Sequence, residues 1–216
     1  MLVVAMQDPP ADGDQPLIDA WRAGDKRAGH QLFERYFDAI ARFFERKVGD
    51  DASDLIQRTF LGCVEGLASF AGRASFRSYL FAIAYNQLCR HFRDRARERG
   101  RLDFATVSLA DLRPTPSQAI GRREELRLLL AALREIPLEY QVLLELYYWE
   151  QLATAEIAEV LEIPAGSVRR RLVRARELVE AKLTELAREP ALVQSSLAGL
   201  EQWAAEVRAR LGTSPG

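Results

Sequence analysis

The chain has 216 residues, 48% of them hydrophobic, two cysteines, two histidines and a formal net charge of −1. That is apolar material for one large or two small cores. No apolar run approaches the ~18 residues of a membrane span, and the acidic DGD and prolines after MLVVAM, with no basic lead-in, argue against a signal peptide.

Residues 1–15 are polar and proline-rich, and disorder is expected there. From Pro16 onward the 3.6-residue period dominates. Helices are predicted over 17–23 and 28–47, the second with Phe33, Phe37, Ile40 and Phe44 on one stripe. After Gly49, Asp51 or Ser53 can cap a third helix carrying Leu55, Phe60, Val64 and Leu67. The stretch 69–74 (SFAGRA) is loop-like, and Ser75 can cap a fourth helix reaching about residue 97.

Residues 102–121 hold two prolines and no sustained period, which marks a linker. Helical patterns resume at 123–135, 138–149, 154–161 and 166–187. No alternating strand pattern occurs, so the fold class is all-α: two small helical domains, 16–100 and 122–187, joined by a flexible linker at 101–121. In the tail, 188–216, Val193, Leu197, Leu200, Ala204, Val207 and Leu211 recur at 4-3-4-3-4 spacing, an amphipathic helix in want of a partner.

Charge is unevenly placed. Residues 90–101 hold six arginines against Asp94 and Glu98, and 169–176 add five more without an acid. Clustering, not the total, sets the local field. On the fourth helix Tyr79, Ile83, Asn86, Arg90, Arg93 and Arg97 stay within about 40° of one line. A ring and an amide suit unstacked bases, and arginines a turn apart suit a phosphate backbone; a core edge followed by a solvated helix end is the plain alternative. The preceding loop, with Phe70 and Arg73, ends at a helix start where backbone groups could hold an extruded base, or is a simple turn.

Residues 154–176 read as a short helix, a turn closed by Pro164 and a second helix. Val168, Leu172, Ala175 and Val179 share one face of that helix; Ser167, Arg170, Arg171 and Arg174 share another, with Arg169 in the same basic run. An anchored helix offering cationic groups fits a DNA major groove; a solvated arginine-rich helix is the plain alternative. Enzyme chemistry has no support: His30 and His91 lie on different helices, Cys63 and Cys89 act as small apolar residues, and Glu34 and Glu45 lie on solvated faces. With no CxxC, metal-ligand spacing or nucleophile elbow, neither metal nor cofactor is expected. A reducing cytoplasm fits.

Four segments, in order, resemble the extracytoplasmic-function (ECF) group of bacterial sigma factors over about 17–187. Asp54-Leu55-Ile56-Gln57-Arg58-Thr59-Phe60 resembles the helix that docks on the largest polymerase subunit. Phe76-Arg77-Ser78-Tyr79-Leu80 with Ile83-Ala84-Tyr85-Asn86 resembles the segment that reads and melts the minus-ten element. Ile136-Pro137 with Val142-Leu143-Leu144 resembles the opening of the second domain, and Glu156-Ile157-Ala158 through Arg176 resembles the minus-thirty-five reader. Each motif is degenerate; their order and spacing are specific.

The resemblance implies a dissociable initiation subunit with no catalysis of its own. It implies polymerase binding through Asp54, Leu55, Gln57 and Phe60. Minus-ten contacts would come from Phe70, Arg73, Phe76, Tyr79, Asn86, Arg90, Arg93 and Arg97, and minus-thirty-five contacts from Ser167, Arg169, Arg170, Arg171 and Arg174. Core RNA polymerase and promoter DNA are the implied partners, with room for an anti-sigma factor. Several positions depart from the pattern: Tyr79 for Trp, Arg58 for an acid, Arg90 for Asp, Gln141 for Arg and Glu162 for the turn Gly. The rival readings are a helix-turn-helix repressor or activator independent of polymerase, and a sigma-like helical adaptor.

Overall fold

The structure, a computed structural model, describes residues 13–72, 74–98 and 124–186. Eight α-helices occupy them: α1 (Gln15–Arg22), α2 (Lys26–Val48), α3 (Ala52–Gly66), α4 (Phe76–Glu98), α5 (Glu124–Glu135), α6 (Leu138–Tyr148), α7 (Thr154–Val160) and α8 (Ala165–Leu186), and no strand occurs among the described residues. The expected linker and the tail helix lie outside them.

Contacts divide the chain into two compact units. One runs to His91 and includes Ala155–Glu162; the other holds Phe92–Thr154 and the chain from Ile163. The expected division at the linker keeps α7 with α8. The contacts instead group 155–162 with the first unit, where Glu156 and Glu162 accept hydrogen bonds from Ser75, Ser78 and Asn86.

In the first unit α1 begins two residues before the expected start, with Pro16 in its first turn, where a missing amide hydrogen costs nothing. Asp14, expected in a disordered arm, is 6% exposed and accepts from both Arg35 and Tyr36. Burial first, then that hydrogen bond, pushes the Tyr36 phenol well above its ordinary value. Asp25 caps α2, its carboxylate accepting from the Arg27 amide at 2.8 Å. Trp21 lies flat on Gly29, where an added Cβ would stand 2.7 Å from the indole, so only glycine lets the two helices approach. Leu32, Ile40, Phe43, Phe44, Leu55, Cys63, Leu80, Phe81, Ala84 and Leu88 fill the core. Burial pushes the Cys63 thiol up to about 12, keeping it protonated and inert.

The second unit packs α8 on α5 and α6. Val168, Leu172, Ala175, Val179 and Leu183 on α8 are buried, as are Leu129, Ala132, Val142 and Leu146. Pro137 separates α5 from α6, which strands the Ile136 carbonyl. The buried Gln141 side chain donates to that carbonyl at 2.7 Å, so this departure from the family pattern has a local purpose. Gln141→Ala should cost about 1–3 kcal/mol by leaving a buried acceptor unpaired, seen as a lower urea midpoint at unchanged slope.

Glu162, where the family pattern has the turn glycine, sits at φ +53°, in the left-handed region. That conformation costs an L residue about 1–2 kcal/mol, and glycine's extra unfolded-state freedom takes back about 0.5–1 kcal/mol. Glu162→Gly should therefore stabilise the chain by about 0.5–1 kcal/mol, read as a raised thermal midpoint.

Candidate functional site

Three surfaces gather the candidate residues, and each mixes residues that face solvent with residues that hold the scaffold. On α3, Asp54 and Gln57 are exposed, whereas Leu55 and Phe60 are buried at 2% and 9% exposure. Leu55 and Phe60 therefore position the helix and cannot themselves present a docking face. The face that Asp54 and Gln57 occupy continues, at 100° per residue, through Arg58, Leu61, Val64 and Glu65. Leu61 and Val64 are 54% and 49% exposed. Phe37 on α2, 48% exposed, stacks on Phe60 with centroids 6.1 Å apart. Phe37 and Val64 belong to the apolar patterns read from the sequence, whose helical spacing is the same whether a stripe faces a core or a partner. Arg58 does not stand alone: it pairs with Asp54 at 2.9 Å, an exposed i, i+4 bridge that neutralises the carboxylate.

On α4 the cap forms as expected, the Ser75 hydroxyl accepting from the Ser78 amide at 3.1 Å. Phe70 and Phe76 are 7% and 2% exposed and belong to the core, not to a contact surface. Tyr79 is half-buried, its ring 4.7 Å from Phe70 and its hydroxyl against Gly66, where an added Cβ would lie 2.2 Å from that oxygen. Burial raises the Tyr79 phenol above its ordinary value, so it stays neutral. From below, Arg22 donates to the Phe70 carbonyl and lies over its ring, pinning the loop. Arg73 lies outside the described residues. Farther along, Asn86, Arg90, Arg93 and Arg97 are all exposed, and Arg97 pairs loosely with Asp94 at 3.8 Å.

On α8 the five arginines divide by role. Arg176 donates to the Tyr148 hydroxyl at 2.8 Å and fastens α8 to α6. Arg171 is bridged to Glu139 at 3.0 Å, and Arg174 to Glu177 at 3.0 Å. Arg169 and Arg170 are exposed and have no ion-pair partner among the described residues. The Ser167 hydroxyl is spent on the turn, donating to the Pro164 carbonyl at 2.6 Å. Val173, 54% exposed, lies between Arg169 and Arg170 in helical angle, in the middle of the open face. The sequence pattern passed over it, although an apolar residue amid arginines on a polar face is a signal for methyl contact.

Among the described residues no group of acids, histidines or cysteines is placed to hold a metal ion, and no helix is long and apolar enough to cross a membrane.

Comparison with known proteins gives two family matches in order: Sigma-70 region 2 over residues 32–98, and Sigma-70, region 4 over residues 126–179. The RNA polymerase sigma-H factor of Pseudomonas aeruginosa is 30% identical over 187 residues, covering 82% of this chain and 96% of that protein. The ECF RNA polymerase sigma-E factor of Haemophilus influenzae is 28% identical over 183 residues, covering 80% and 96%. Among solved structures, CnrH in complex with the cytosolic domain of CnrY matches with a TM-score of 0.57 at 24% identity, over 82% of this chain and 100% of that one. The sigma factor RpoE in complex with the anti-sigma factor NepR from Bartonella quintana matches at 0.56 and 21%, over 74% and 98%. These two likenesses concern the fold. Both regions occur in one chain, in order, beside a relative matched over nearly its whole length: the chain belongs to the sigma-70 family, in its extracytoplasmic-function group.

Proposed function

We propose that this sigma factor, which directs promoter-specific initiation, divides the work among its three surfaces as follows. Polymerase docks on the α3 face through Asp54, Gln57, Leu61 and Val64, with Phe37 at its margin and Leu55 and Phe60 holding the helix in place. The exposed apolar stripe carries this reading, because such a stripe marks a protein–protein contact and it lies on the helix whose motif resembles the family's polymerase-docking segment.

Upstream duplex is read by Arg169, Arg170, Val173 and Arg174, with Arg171 and Ser167 as braces. The downstream strand is taken by Tyr79, Asn86, Arg90, Arg93 and Arg97, with Arg73 in the adjoining loop and Phe70 and Phe76 supporting it. Binding the single strand better than the duplex draws melting forward by mass action, so the chain needs no reaction of its own. Tethering the two modules gives each weak contact a raised effective concentration. The domain boundaries expected from the sequence, 16–100 and 122–187, suit this division, and the cytoplasm, where polymerase works, is its setting. An anti-sigma factor covering Phe37, Leu61 and Val64 would hold the chain off polymerase.

Run-off transcription with purified core polymerase over a random promoter library tests the whole. Selective transcripts that depend on the chain are expected; none, together with failure to co-purify with polymerase, would leave the adaptor reading. Asn86→Ala should spare upstream duplex binding yet slow open-complex formation, seen as delayed permanganate reactivity of unpaired thymines. Unchanged opening would remove Asn86 from the strand contact.

A further inference from the structure

We propose that Arg22 is a positioning residue for base readout: from α1 it sets the geometry of the loop that leads into α4. The proposal rests on the reading of α4 and that loop as the strand-binding surface. Phe70 ends the turn after α3 with extended backbone, ψ 106°, and its amide is held by the Gly66 and Leu67 carbonyls at 3.2 Å. The extended backbone turns the Phe70 carbonyl out of that turn, although the residue is 7% exposed. Arg22, 48 residues away in sequence, donates to this carbonyl, and its guanidinium lies 5.6 Å from the centre of the Phe70 ring.

Arg22 is firmly presented. It stands in the last turn of α1 beside Trp21, whose indole lies flat on Gly29 and edge-on to Phe33 at 5.2 Å. Its pair with Asp19 is loose, at 4.0 Å, so the Phe70 carbonyl is the closer partner. The far end of the loop is fixed independently, by the Ser75 cap on α4. Between these two posts Gly72 turns the chain at φ +68°.

On the α4 side the Phe70 ring meets Tyr79 at 4.7 Å and Phe76 at 6.1 Å between centroids. Without Arg22 a buried carbonyl loses its partner, a cost that the loop relieves by shifting toward water. That shift carries the Phe70 ring with it, and disturbs Tyr79 and the backbone groups that would hold a base. Readout of a base fails over a fraction of an ångström, because hydrogen bonds do. The pull of Arg90, Arg93 and Arg97 on phosphates changes far more gently with distance. Arg22 therefore governs which base is accepted, not how strongly the strand is held.

The test uses holoenzyme assembled from the full chain and core polymerase. Its DNA is a pool of fork junctions built on a promoter recovered from the run-off library, with the single-stranded minus-ten bases randomised. Sequencing the bound and unbound fractions gives the preference at each base. Arg22→Ala should lower the preference at one base about fivefold or more, within the worth of a single mismatched position. Other bases should change less than about twofold, as expected of separate sites. The salt dependence of binding should hold, since no phosphate contact is lost. Arg22→Lys, a cationic donor on a long stem, should keep most of the preference, and Asp19→Ala all of it.

A loss shared by every base, a shallower salt slope or an unchanged preference after Arg22→Ala overturns the proposal. Should Arg22→Ala fail to fold by circular dichroism, Arg22→Met decides on the same criteria, since it keeps a stem against the Phe70 ring and removes the donor. Tyr79→Ala on the same pool separates this idea from the one beneath it. If Tyr79→Ala flattens a position and Arg22→Ala does not, the strand reading stands and the positioning role falls; if neither does, both fall.

Discussion

Leu61→Asp is expected to abolish co-purification with core RNA polymerase while leaving the chain folded and able to bind duplex DNA. Leu61 is 54% exposed, so folding loses little beyond a few tenths of a kcal/mol of helix propensity. At an interface the same change removes a leucine whose burial is worth about 1.5–3 kcal/mol and drives a carboxylate into an apolar contact. A weakening of about 30-fold or more follows, in the range of an interface hot spot. Val64→Asp should act in the same direction. Leu55→Asp, two residues before Gln57 but on the buried side of the helix and 2% exposed, should instead unfold the first unit. The measurement is retention of the chain on immobilised core polymerase, with circular dichroism and duplex binding as controls. Retention of Leu61→Asp at wild-type strength would move the docking surface off α3.

The elements were legible because each is written twice, in an apolar period and in its punctuation. Ser75 caps α4, Pro16 sits in the first turn of α1, and the helix breaks at Pro137 and Pro164 fall where missing amide hydrogens demand them. Glu162 was legible only in part: that its position suits glycine could be read from the pattern, but not whether the turn would avoid the left-handed region or hold a side chain in it, as it does.

The site was less so, for reasons of direction and distance. Phe37, Leu61 and Val64 repeat with a core's period, and a period cannot say whether the core or a partner will cover them. Phe70 and Phe76 carry rings that strand binding could use, but the loop beneath them has few other apolar groups, and they close it. Arg170 and Arg171 are neighbours of the same chemistry; what separates them is Glu139, 32 residues away in sequence. The hydrogen bonds from Ser75 and Ser78 to Glu156 span about eighty residues, a kind of contact no local pattern records.

Arg170→Ala should weaken binding to the preferred upstream duplex by about 1–3 kcal/mol, or about five- to 150-fold, the worth of a bidentate arginine–guanine pair. On other sequences the loss should be small and should fade with added salt, as a lost phosphate contact does. Arg170 is the stronger candidate because its guanidinium is exposed and has no competing carboxylate among the described residues. Arg171 must first give up Glu139, and each is about one-third exposed. Arg171→Ala should therefore cost less in binding and add a stability loss of under about 1 kcal/mol, typical of a partly solvated pair. Val173→Ala completes the pattern: it should relax preference at a single thymine, because a methyl contact discriminates without a hydrogen bond. Competition binding across a duplex library at two salt concentrations resolves all three. A uniform loss for Arg170→Ala on every sequence would reduce that residue to a backbone contact, and would shift the reading of the element to Arg169 and Arg174 on either side of it.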